Sequence, residues 1–178
     1  MKYLIMCEGP NEKKIMELLL EHDQLIFQQE DLVGLSIYHA RQIEKSTAVQ
    51  ANLRIYGGEV AVLRIGDKMS DRLKIPAEFR HQIMDVKKYC TLPELEILLI
   101  ISENMFKEYD KGKSHKHPKQ FAKEHIMFNK MKYNGASEFY EQYYGTDIPK
   151  LIHTIREYKH RNHSHKEDEH YLFELLKA

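Results

Sequence analysis

Apolar positions open the chain as one continuous run, Tyr3 to Cys7, long enough for a single buried strand. The turn Glu8-Gly9-Pro10-Asn11 follows, and Ile15, Leu18 and Leu19 then recur at helical spacing over residues 11–22. Gly9 admits a tight turn, and Pro10 carries the fixed φ of a first helical position. After a polar connection, Leu35 to Ala40 reads as a second strand. Ser46 predicts the N-cap of a helix from Thr47 to Tyr56, which Gly57-Gly58 stops. Glu59 to Ile65 is a strand rich in β-branched residues that ends at Gly66-Asp67. Strand, helix, strand, helix, strand is the order of a parallel sheet with crossover helices.

The pattern then changes. Phe79 to Val86 is predicted as a further strand. Thr91-Leu-Pro-Glu94 has the form of a capping box and opens a helix that is apolar on most of its circumference, Leu95 to Ile101, which implies burial. Helices are predicted over residues 118–132, 136–144 and 148–160, and a last short helix ends at Leu175-Leu176. The expected fold is α/β, a small mostly parallel sheet flanked by helices with a helical C-terminal tail. Residues 1–106 form the α/β unit. Residues 107–178 form a basic loop and helical extension, either packed on the sheet or standing as a small subdomain.

Composition sharpens this outline only locally. The chain has 27 Lys+Arg against 27 Asp+Glu, so no global field selects an acidic or basic partner. Residues 1–110 hold 14 basic and 18 acidic side chains, and residues 111–178 hold 13 and 9. Cys7 and Cys90 lack metal-ligand spacing and read as buried thiols of a reducing compartment. Without a signal-like opening or a membrane-length apolar run, the expected location is cytoplasmic, with no membrane partner.

The candidate chemistry is acidic. Glu8 directly follows the first strand, and Glu12 lies in the first helical turn, where an acid also serves simply to complement the helix dipole. Asp67 stands after the strand 59–65 in the place equivalent to Glu8. If the two strands are parallel neighbours, both acids share one carboxyl rim, where open α/β sheets bind ligands. Carboxylates gathered there repel one another unless a cation holds them, and oxygen ligands suit Mg²⁺ or Mn²⁺. Glu94 reads as the capping-box acid or as a further ligand. Glu96 stands among Leu95, Ile97 and Leu98, where an unpaired carboxylate is costly, and is the stronger ligand candidate.

The stretch Met6-Cys-Glu-Gly-Pro-Asn-Glu-Lys13, between a strand and a helix, resembles the first motif of Toprim domains, most closely that of the compact nucleases of the overcoming-lysogenization-defect type. Their Glu-Gly pair and following Glu correspond to Glu8, Gly9 and Glu12. The later Asp-x-Asp is matched only by Asp67, because Lys68-Met69 follows. Glu96 or Glu94 takes the place of a further family Glu. The resemblance covers about residues 1–105. It implies a nuclease dependent on Mg²⁺ or Mn²⁺ that hydrolyses phosphodiester bonds in DNA or RNA, in defence against foreign nucleic acid. Glu8, Glu12 and Lys13 would be catalytic, and Glu8, Asp67, Glu96 and Glu94 would hold metal. Lys13 or Lys68 would face the scissile phosphate. The alternative, favoured by the missing second Asp, is a non-catalytic Toprim-like module that binds nucleic acid or a partner protein in a larger complex.

Residues 111–132 carry seven lysines, three histidines and one acid, Glu124. Lys113, Lys116, Lys119 and Lys123, with Phe121 and Phe128 as stacking platforms, are candidates for tracking a phosphate backbone together with Lys68; a solvated loop beside an amphipathic helix is the competing interpretation. The cluster His160, His163 and His165 does not have zinc-site spacing and reads as a titratable surface group.

Overall fold

The computed structural model describes residues 1–67, 72–113, 115–161 and 169–178. Lys68, His163 and His165 lie outside the described residues. The chain runs β1 (Lys2–Cys7), α1 (Pro10–Glu21), β2 (Leu32–His39), α2 (Thr47–Tyr56), β3 (Val60–Gly66), β4 (Ile83–Cys90), α3 (Ile97–Ser102), α4 (Phe106–Gly112) and α5 (Pro118–His125). There follow β5 (Met127–Phe128), β6 (Met131–Lys132), α6 (Ser137–Tyr144), α7 (Ile148–Arg161) and β7 (Glu169–Tyr171). Five strands form one sheet in the order β2-β1-β3-β4-β7, and every pairing in it is parallel. The fold is α/β, as the alternation of elements predicts.

Both faces of the sheet are covered at its centre, which is why β1 and β3 read as nearly continuous apolar runs. Alternate residues go to opposite sides. Ile5, Cys7, Leu63 and Ile65 enter the larger core, with Ile15 and Leu19 of α1, α3, the tyrosines of α6, and Leu151 and Ile155 of α7. Leu4, Met6, Val60 and Val62 enter a smaller core against Val49 and Leu53 of α2 and Phe79. Residues 107–178 contribute Phe121, Tyr133, Phe139, Tyr140, Leu151, Leu172 and others to the larger core, and β7 pairs with β4. The two halves share one core.

The boundaries of α2 follow its caps. Ser46 Oγ accepts the Val49 N–H at 3.3 Å, and Gly57 takes φ 65°. Several expectations are corrected. The fourth strand spans Ile83–Cys90 rather than Phe79 to Val86, because Phe79 lies in a 3-10 turn and turns its ring into the smaller core. No capping box forms at Thr91. Its N–H prolongs the β3–β4 ladder by donating to Gly66 O at 3.3 Å, and the helix begins only at Ile97. The helix predicted over 118–132 ends at His125. Asn129 and Lys130, both with positive φ, turn the chain into the β5–β6 hairpin, as a two-residue hairpin turn requires. The last short helix is instead β7 followed by a 3-10 turn, Leu172–Leu175.

Among the described residues, no helix is long and apolar enough to cross a membrane.

Candidate functional site

Strand order places the site. The chain passes from β1 to β2 on one side and returns to β3 on the other, so β1 and β3 flank a topological switch point, where the carboxyl ends of a parallel sheet open a crevice. Cys7 is in register with both His39 of β2 and Ile65 of β3, and Gly66 with Cys90 of β4. The residues just beyond the strands therefore line one rim: Arg41, Glu8, Asp67 and Thr91. The Glu8 N–H continues the ladder, donating to Ile65 O at 2.8 Å.

On this rim lies an open cleft of about 160 Å³. Glu8, Glu12, Asp67, Glu94 and Glu96 all line it, with Asn11, Arg41 and Lys119. The five acids singled out in the sequence thus come to one place. Two glycines make the room. A Cβ on Gly66 would stand 2.7 Å from Glu8 Cβ and 2.5 Å from Glu8 Oε2, and a Cβ on Gly9 would stand 2.6 Å from Glu12 Oε2.

The acids differ in their surroundings. Arg41 Nη2 lies 3.2 Å from Glu8 Oε1, and Arg41 Nε donates to Glu8 O at 3.4 Å. Glu94 Oε2 accepts the Lys119 N–H at 3.0 Å, so this carboxylate caps the first turn of α5 rather than that of α3. Glu96, only 4% exposed, accepts from the Tyr133 hydroxyl at 2.6 Å, and the Tyr140 hydroxyl is 3.3 Å from that of Tyr133. This hydrogen bond makes a carboxylate tolerable in an apolar helix start. Glu12 is 9% exposed, and among the described residues its carboxyl is the one pushed upward. Burial pushes its pKa up from 4.5 to about 7, and the negative charges of Asp67, Glu8 and Glu96 push in the same direction.

No protein-family model matches this chain, and no curated protein or solved structure matches it. The site therefore stands on its own geometry.

The other sequence candidates separate cleanly. Lys119 lines the cleft. Lys13 is paired with Glu17 at 3.2 Å along the face of α1 and does not line it. Lys113 pairs with Asp110 at 2.7 Å, and Lys116 pairs with Glu124. Lys123 runs beside Lys119 at Gly135. Phe121 is 5% exposed with its ring against Tyr109, and Phe128 packs on Tyr143, so neither ring is a free stacking platform.

Three residues of the site escaped the sequence. Arg41 had a usable signal, since it directly follows the strand expected over Leu35 to Ala40, although β2 ends two residues earlier at His39. Asn11 lies inside the opening motif. Its Nδ2 donates to Gly135 O at 3.2 Å, while its buried Oδ1 has no donor among the described residues. Tyr133 had no local signal, being 37 residues from its partner Glu96.

The donor set suits a hard divalent cation: carboxylate oxygens, and an amide oxygen without a donor among the described residues, beside a carboxyl that burial first and neighbouring negative charge second push up to about 7. The acids share the cleft without closing on one ion. Among the described residues, no three His, Cys, Asp or Glu side chains are placed to hold a metal together.

Proposed function

We propose that the chain is a Toprim-like, divalent-metal-dependent nuclease that hydrolyses phosphodiester bonds. The observation that carries this reading is the convergence of Glu8, Glu12, Asp67, Glu94 and Glu96 on one cleft at the β1/β3 switch point, flanked by Arg41 and Lys119. Glu8 and Asp67, with Asn11 Oδ1, would hold the cation, Mg²⁺ or Mn²⁺, two carboxylates and one amide oxygen rather than three acids closing on one ion. A cation there supplies charge neutralisation on a phosphate's nonbridging oxygens and lowers the pKa of a bound water.

The chain's own residues do the rest. The Glu12 carboxyl, poised near pH 7, can hold or accept a proton at working pH. Arg41 and Lys119 offer donors on either side of the acids, where a phosphate's oxygens would lie. Tyr133 and the α5 N-terminus each occupy one oxygen of Glu96 and Glu94 and fix the orientation of those carboxylates.

The test is incubation of supercoiled plasmid and of structured RNA with Mg²⁺, Mn²⁺ or EDTA, for the wild type and Glu8→Gln. The reading expects metal-dependent cleavage by the wild type and none by a Glu8→Gln protein that melts normally. Equal cleavage by both refutes the assignment of Glu8. Nucleic-acid binding without cleavage under any metal supports the non-catalytic module instead.

A further inference from the structure

Beside the acidic cleft lies a second pocket of opposite character. His39, Ala40, Arg41, Gln42, Lys45 and Ser46 line an open cavity of about 240 Å³, room for about eight waters at ~30 Å³ each. Among the described residues, no carboxylate lines it. Arg41 lines both cavities. Its acidic partner, Glu8, lines the acidic cleft and not this pocket. His39 and Lys45 have no ion-pair partner among the described residues. Lys113 and Lys116 of the 111–117 loop differ, since each is paired locally, with Asp110 and Glu124.

Two further features favour an anion here. The pocket lies at the start of α2, a helix of ten residues whose first turn is capped by Ser46 but carries no acid, so the positive end of its dipole has no charged complement within that turn. The floor is also fixed. Gln42 Nε2 donates to Arg72 O at 3.0 Å, and Gln42 Oε1 accepts the Lys74 N–H at 2.9 Å, tying the β2–α2 connection to the segment before β4. A polyanionic strand approaching five carboxylates needs positive charge next to them.

We propose that the His39, Arg41 and Lys45 pocket is a phosphate subsite of a nucleic-acid strand. It seats the backbone phosphodiester adjacent to the one that faces the acidic cleft. The strand then crosses the carboxyl rim from Lys119 to the N-terminus of α2 and does not follow the 111–117 loop. This assignment rests on the phosphodiester reading above and specifies which end of the cleft its substrate occupies.

The experiment measures binding rather than cleavage, so the two ideas can fail separately. Fluorescence anisotropy is recorded in EDTA, across a sodium chloride series, with a short labelled single-stranded DNA and the RNA of the same sequence, both bearing 5′-hydroxyl ends. Each lost phosphate contact lowers the slope of log affinity against log salt by ~0.7 for a single strand. Lys45→Ala, at an exposed position, is expected to weaken binding several-fold and lower the slope by that amount, and His39→Ala to weaken binding further. Lys177→Ala, an equal charge change on a residue paired with Asp23, is expected to change neither. Equal slopes for the wild type and Lys45→Ala overturn the subsite, as does failure of the wild type to bind either strand. Binding that appears only with a 5′-phosphorylated strand also overturns it, because the pocket then reads a terminal phosphate. A normal Lys45 effect in a protein that cleaves nothing leaves the subsite standing and removes the nuclease.

Discussion

Glu12→Gln tests the electrostatics of the cleft without any substrate. The Glu12 pKa rises from 4.5 to about 7, chiefly by burial and further by Asp67, Glu8 and Glu96. In the unfolded chain the carboxyl loses its proton near its ordinary value, while the folded protein keeps that proton until about pH 7. The folded state therefore binds more protons across this window, and stability falls as pH rises through it. A shift of about 2.5 units at ~1.36 kcal/mol each gives ~3 kcal/mol, fully lost above about pH 7. Gln resembles the protonated form and does not incur this loss. In EDTA, urea unfolding should find the two proteins about equal at pH 4.5. At pH 8 the variant should be ~3 kcal/mol more stable, or ~6–12 °C in Tm for a chain of this size. Mg²⁺ at pH 8 should then raise the wild type more than the variant and narrow the gap. A difference that does not change with pH, or a variant less stable at pH 8, would refute the claim that Glu12 is held against its charge.

Two other substitutions probe how the acids are positioned. Gly66→Ala places a methyl 2.7 Å from Glu8 Cβ; overpacking of this kind costs ~1–3 kcal/mol, and the protein should still fold with cleavage lost. Full activity in that variant would mean that the Glu8 rotamer does not matter. Tyr133→Phe leaves the buried Glu96 Oε1 without its donor and should cost ~1–3 kcal/mol in urea unfolding. Repeating it in a Glu96→Gln background should give a smaller cost, with a coupling above ~0.5 kcal/mol; strict additivity would dissolve the pair.

The parts of the fold legible in the sequence were those whose pattern matched a local rule. β1, β3 and α2 are bounded by turn glycines and a serine cap, and their alternation implied the parallel sheet. β4 was misplaced because Asp85, Lys87 and Lys88 interrupt its apolar pattern on a strand whose charges reach solvent. The β5–β6 hairpin was hidden by a helical pattern that continued through Ile126 and Phe128, and β7 is only three residues long. In the site, Glu8 and Asp67 were visible because strand ends have a predictable place. Glu94 and Glu96 were visible by residue type, but their partners Lys119 and Tyr133 are set by tertiary packing alone.

The rear of α1 has its own bearing on the front. Leu25 bridges to Leu176, and the Lys177 N–H donates to Gln24 O at 2.9 Å, so residues 172–177 fasten the loop that leaves α1. That helix carries Glu12 in its first turn. The acid at the rim is therefore held from behind, by a strap at the opposite end of the sheet. Its place in the fold thus depends on backbone pairing between residues far apart in the sequence as well as on the turn that precedes α1.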